Sequence, residues 1–236
     1  MANITLYKSD TRGHANHGWL NAHHSFSFAN YYNPERMHFG VIRVLNDDIV
    51  APAMGFGTHP HDNMEIITIP LQGALEHKDN TGGNGIIRKN DIQVMSAGSG
   101  IKHSEFNHSK DEDVKLFQLW IMTNKPNAVP RYDQKTFDEA DRINTFQTLV
   151  SPFGNEGLWI YQDAWISLGK FNANQETNYT IKKNGNGVFI FVIDGEIEIA
   201  ENSLNKRDAL GVSETDTINI NIKKETEILL VEVPMN

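Results

Sequence analysis

Ile66-Ile67-Thr68-Ile69-Pro70-Leu71-Gln72-Gly73-Ala74-Leu75-Glu76 and Val188-Phe189-Ile190-Phe191-Val192-Ile193-Asp194-Gly195-Glu196-Ile197-Glu198 have the same shape. Each is an apolar run, then a polar residue with glycine, then an alternating run. β-rich runs broken at such a turn read as hairpins. A second echo comes later in each half, where Lys115-Leu116-Phe117-Gln118-Leu119-Trp120 resembles Glu227-Ile228-Leu229-Leu230-Val231-Glu232. Together these predict two similar β domains in one chain, joined near residues 130–145. The rest of the chain agrees. Gly40 to Leu45, Ile92 to Met95, Val114 to Met122, Leu158 to Leu168 and Thr217 to Ile222 all read as short strands. Only Thr136 to Arg142 suits a short helix. Many short strands with few helices predict sandwiches or barrels.

Composition excludes several classes of function. The 236 residues carry a net charge of -9, and neither half has a basic stripe that would track phosphates. Direct nucleic-acid binding is therefore not expected. The best apolar run, Val188 to Ile193, is far short of the roughly 18 residues a membrane helix needs. The opening residues hold no apolar signal core, so a cytoplasmic location is expected. Cysteine is absent, which removes disulfides, thiolate metal sites and thiol catalysis together.

All ten histidines lie between His14 and His108. Imidazole chemistry therefore belongs to the first half. Two pairs stand out within it, His59-Pro60-His61 and His103-Ser104-Glu105. Residues i and i+2 of a strand point to the same face, so each pair presents two ligand atoms side by side. Three imidazoles and one carboxylate suit a divalent transition ion: Fe, Mn, Co, Ni, Cu or Zn. A six-coordinate ion would keep two positions for a substrate oxygen and dioxygen.

The surroundings carry further expectations. Stepping by two from His59 reaches Glu65, Ile67, Ile69 and Leu71, so the apolar face and the histidine face are expected to coincide. Pro60 donates no backbone hydrogen bond, which predicts an edge strand or a bulge. Glu65 has three open roles, as a fifth ligand, a base just behind the ligands or a buried partner to a loop amide; the second is favoured. Met54, Phe56, Phe117, Leu119 and Ile121 are expected to wall the pocket. His77 and His108 are expected at the surface, and His24 in a packing or hydrogen-bonding role.

The runs Gly55-Phe56-Gly57-Thr58-His59-Pro60-His61 and Met95-Ser96-Ala97-Gly98-Ser99-Gly100-Ile101-Lys102-His103-Ser104-Glu105 resemble the pirin family of the cupin superfamily. So do His17-Gly18-Trp19-Leu20, His24 to Tyr32 and Arg43-Val44-Leu45-Asn46-Asp47-Asp48. The resemblance implies an all-β bicupin, two antiparallel β-sandwich or jelly-roll barrels with a few short helices. Residues 1–135 would be the metal-binding barrel and 136–236 a barrel without ligands. It implies His59, His61, His103 and Glu105 as the ligands of one ion per chain, Fe(II) foremost. A carboxylate can bind through one oxygen and leave the other free, so Glu105 is also expected to be the catalytic base.

Bacterial members of this pattern are associated with quercetin 2,3-dioxygenase activity, which implies a flavonol-like substrate and O2. Animal members imply a different role, a metal-sensing protein that acts through a protein partner. An oxygenase on another small substrate is the third reading. Three departures fall where the family commonly has glycine or a glycine-containing turn: Asp62-Asn63-Met64-Glu65 for Arg-Gly-Phe-Glu, Asn90-Asp91 for Gly-Asp, and Arg207-Asp208 likewise.

Overall fold

The computed structural model describes residues 2–235, and these are nearly all β. Each half is a sandwich of a seven-stranded and a four-stranded sheet. In the first half the large sheet runs, in spatial order, Arg131–Thr136, Asp91–Ser96, Met64–Gln72, Val114–Met122, Ile42–Val50, Leu20–His24 and Gly13–Asn16. The small sheet runs Gly55–His61, Ile101–Asn107, Ala74–Asp79 and Asn84–Arg88. The two sheets stay distinct, so each half is an open two-layer sandwich and not a closed barrel. The helical content among the described residues is two 3-10 turns, Ser9–Thr11 and Glu139–Arg142. The expected short helix is the second of these, capped by the Asp138 carboxylate accepting from the Ala140 amide.

The second half repeats this order, except that its outermost strand, Leu158–Trp159, runs parallel to Phe146–Ser151 where Gly13–Asn16 runs antiparallel to Leu20–His24. Its large sheet centres on Asn186–Asp194 beside Thr226–Pro234, as the first centres on Met64–Gln72 beside Val114–Met122. Both echoes in the sequence therefore fall on equivalent strands. The edge position that Arg131–Thr136 fills in the first large sheet is filled in the second by Asn3–Tyr7, paired from Asn3↔Ser213 to Tyr7↔Ala209. The start of the chain thus completes the sheet of the other half.

The two large sheets pack back to back, and the largest core lies between them. Ile67, Ile69, Phe117, Leu119 and Ile121 from one side meet Phe189, Phe191, Leu229 and Val231 from the other. Phe117 and Phe191 stand edge to face at 5.1 Å. This corrects two expectations. The apolar phase Ile67-Ile69 faces the partner sandwich and not the histidines. The strands Gly55–His61 and Met64–Gln72 belong to different sheets, and the turn at Asp62-Asn63 breaks the phase between them. Phe117, Leu119 and Ile121 likewise point away from the pocket. Strands buried on both faces carry apolar residues in both phases, so alternation gives no sign of which face is which.

Asn63, Asn90 and Arg207, which replace the family's usual glycines, have φ of 46°, 72° and 68°. This left-handed conformation is the one glycine adopts freely and asparagine tolerates best among the other residues. The substitutions keep the turns, and Asn63 Oδ1 also accepts from the Asn127 amide at 2.7 Å.

Candidate metal centre

Gly55–His61 is an edge strand of the small sheet, as Pro60 requires. It pairs His59 with His103 and then slips, so that Glu105 opposes Phe56. Two residues, Gly57 and Thr58, therefore bulge opposite Ser104. The bulge twists the edge and turns His59 and His61 inward beside His103.

The three imidazoles converge. Ring centroids are 4.8 Å apart for His59 and His61, 4.4 Å for His59 and His103, and 4.9 Å for His61 and His103. His59 Nδ1 lies 2.8 Å from the Gly57 carbonyl, which can only accept, so Nδ1 carries a proton and Nε2 is the nitrogen left to bind a metal. That Nε2 lies 3.0 Å from His103 Nε2. Two ligand nitrogens held at right angles about 2.1 Å from one ion lie about 3.0 Å apart, so the spacing fits a shared cation. Burial and the neighbouring imidazoles push His61 down to about 4 and hold His103 far below the usual histidine range. Both are therefore neutral at physiological pH, the form that binds a metal.

Glu105 lies buried in a second, overlapping trio with His77 and His103. Its carboxylate accepts from Gln118 Nε2 at 3.1 Å through each oxygen. Burial raises it to about 7, against the opposing hydrogen bonds from Gln118 and Thr68. A carboxylate poised near neutrality is suited to take and return a proton.

These groups stand at the head of a cavity of about 480 Å³, ordinary for a small-molecule site. Trp19, Phe28, Phe56 and Trp120 form aromatic walls, and Asn46, Asp48 and Gln118 supply a polar side. Of the expected wall residues only Phe56 lines it. Met54 is exposed. Trp120 stands edge-on to His61 at 4.7 Å and to Phe28 at 5.4 Å. His24 lines the same cavity, with Nδ1 2.9 Å from Asn46 Oδ1.

Other expectations are corrected. Glu65 is buried at the junction of the halves, where it accepts from Ser96 Oγ at 2.6 Å and from the Tyr161 amide. Of its three open roles it therefore fills the loop-amide one. His77 is wholly buried, with Nδ1 3.3 Å from His103 Nδ1. The flanking Glu76 and Lys78 suggest an exposed strand, but Leu75, His77 and Asp79 form its inward phase. His108 is at the surface, 3.6 Å from Glu76.

Asp48 was not singled out by the sequence. It is 4% exposed, and its Oδ1 has no hydrogen-bond partner. Burial, with Asp47 and Glu105 nearby, pushes it up to about 8 from an ordinary 3.8. The folded chain therefore keeps a proton on Asp48 that the unfolded chain loses, and stability drains as pH rises from about 4 to about 8. Asp48→Asn removes this drain. In the metal-free protein it is expected to raise the Tm by on the order of 5 °C at pH 8 and by nearly nothing at pH 4. Melting curves of both proteins across that range check this, and an equal gain at both pH values would refute it.

Among the described residues, the second sandwich places an apolar face where the first places its histidine ligands. The strand Thr217–Ile222, which holds the place of Ile101–Asn107, turns Ile218, Ile220 and Ile222 into an apolar core.

Comparison with known proteins agrees with this geometry. Residues 7–121 match the pirin family model, and residues 148–233 match that of the quercetinase C-terminal cupin domain. A quercetin 2,3-dioxygenase of Escherichia coli strain K12 is 39% identical over 98% of this chain and 99% of its own length. The chain belongs to the pirin family. A pirin-like protein of Caulobacter vibrioides is 40% identical over 94% of this chain and 96% of its own. The crystal structure of the bacterial pirin YhhW from Escherichia coli in complex with nickel(II) superposes with a TM-score of 0.92, at 38% identity, covering 98% of this chain and 99% of that one. The nickel-bound relative and the His/Glu cluster of the first sandwich support a divalent-metal site there. The chain's relatives and cupin domains support chemistry of the metal-dependent dioxygenase kind. Among the described residues no helix is long and apolar enough to cross a membrane.

Proposed function

We propose that this pirin opens the central ring of a flavonol-like substrate with dioxygen and releases carbon monoxide, using Fe(II) held by His59, His61, His103 and Glu105. The observation that carries the reading is three convergent imidazoles and a buried carboxylate at the head of an aromatic-walled cavity. An ion held there would supply a Lewis acid and a template for substrate and dioxygen.

The chain's own residues do the rest. Trp19, Phe28, Phe56 and Trp120 suit a flat aromatic ring system, which they would bind by burial and edge-on contact. Glu105 takes the proton of the substrate's enolic hydroxyl, with Gln118 holding both carboxylate oxygens in place. Asp48, protonated at neutral pH, offers an O–H to a substrate oxygen on the polar side. The aromatic walls exclude water from the reacting face.

The test is metal reconstitution under anaerobic conditions, addition of quercetin, and then admission of air. Loss of the flavonol absorption band over many turnovers is expected. Binding of quercetin with no turnover, for every metal tried, would overturn the proposal.

A further inference from the structure

We infer that His77 and Asp79 are positioning residues that fix the His103 imidazole as a metal ligand through a continuous His103–His77–Asp79 hydrogen-bonded relay. The inference rests on the reading of His103 as a ligand and deepens it. His103 directs Nε2 toward His59, at 3.0 Å, and Nδ1 toward His77 Nδ1, at 3.3 Å. The other nitrogen of His77, Nε2, lies 3.1 Å from Asp79 Oδ2. One proton arrangement makes both the His103–His77 and the His77–Asp79 contacts hydrogen bonds, with neutral rings and an ionised carboxylate. Asp79 accepts from His77 Nε2–H, His77 Nδ1 accepts from His103 Nδ1–H, and His103 Nε2 is left with its lone pair aimed at the ion. The relay thus selects the ligating tautomer before any metal arrives.

The far end of the relay is anchored. Asp79 Oδ1 accepts from the Thr81 amide at 2.8 Å, Thr81 Oγ1 at 2.7 Å and the Gly83 amide at 3.0 Å. A Cβ on Gly83 would collide with Asp79 Oδ2 and with Tyr132 Cβ, so that position requires glycine. Tyr132 stacks on the buried His77 ring at 4.7 Å and holds its plane. The loop Asn80 to Gly85, a turn by composition, is therefore the clamp on the outer end of a metal ligand. A histidine ligand whose second nitrogen is tied to a carboxylate keeps its orientation and gains basicity, typically worth about 10–100-fold in metal affinity or activity.

Titration of the apo protein with Ni(II) and Co(II) tests this without any turnover. His77→Phe keeps a ring of similar size but removes both nitrogens; it should weaken either metal by about 10–100-fold and shift the visible spectrum of the Co(II) form. Asp79→Asn should move both readouts the same way, and the double variant should be no worse than His77→Phe. His77→Gln, which can still accept and donate, should recover part of the loss. Circular dichroism and melting curves identify any variant that fails to fold, and Asp79→Asn then carries the test. Affinities within twofold of wild type with an unchanged Co(II) spectrum would overturn the relay alone. Complete loss of metal in His77→Phe would make His77 a ligand and also overturn it. A wild-type chain that binds neither metal would overturn the reading of the centre itself, and the relay with it.

Discussion

Glu105→Gln is expected to lower turnover per bound metal by at least about 10²-fold at neutral pH, the usual worth of a general base. The carboxylate sits two residues from His103 on one strand, buried, with its oxygens held by Gln118. Burial places its proton affinity near neutrality, at about 7, so it can take a proton from the substrate hydroxyl and hold it. An amide at this position keeps an oxygen able to coordinate weakly but cannot accept that proton. Metal content should therefore fall modestly while the rate collapses. Rates must be measured at saturating metal and divided by metal bound. Wild-type turnover per metal in Glu105→Gln would move the base elsewhere. Glu65 is no substitute, because it is engaged with Ser96 and the Tyr161 amide at the junction of the halves.

His59→Ala combined with His61→Ala should reduce bound metal from about one equivalent per chain to nearly none. Both residues lie on the edge strand Gly55–His61 and contribute two of the three convergent rings. The remaining His103 and Glu105 cannot hold a divalent ion tightly as a bidentate set. The fold should survive, because His59 and His61 are only partly buried and neither belongs to a core cluster. Elemental analysis of the purified protein checks the prediction. Retention of about one equivalent would overturn His59 and His61 as ligands and place the ion in the overlapping His77, His103 and Glu105 trio or elsewhere.

The architecture was legible in the sequence where its signal was local. The strand-glycine-strand echo at residues 66–76 and 188–198 marks equivalent hairpins of the two sandwiches. The histidine pairs were legible because i, i+2 spacing on a strand is independent of its neighbours, and Pro60 marked the edge. What failed was phase. Met64–Gln72 and Val114–Met122 each face the cavity on one side and the other sandwich on the other, so Thr68, Gln118 and Trp120 point to the site while Ile67, Phe117 and Leu119 do not. No alternation of polarity distinguishes two buried faces. The burial of His77 is hidden for the opposite reason: the charged Glu76 and Lys78 flank it on the outer face. Asp48 gave no sign, since a buried carboxyl in the Asn46-Asp47-Asp48 run looks like any polar turn. The pairing of Asn3–Tyr7 with Ala209–Ser213 joins segments too distant for any local pattern to reveal.

The proposed reaction adds dioxygen to the bound substrate. Turnover of quercetin by the Fe(II)-loaded protein under ¹⁸O₂, with mass analysis of the product and of the gas released, tests it most directly. Ring opening by a dioxygenase adds both atoms of one O₂ to the organic product and releases one carbon as CO, so the balance is flavonol plus O₂ giving depside plus CO. Two ¹⁸O atoms per product molecule and one equivalent of unlabelled CO are expected. Product carrying oxygen from water, or substrate loss without CO, would contradict it.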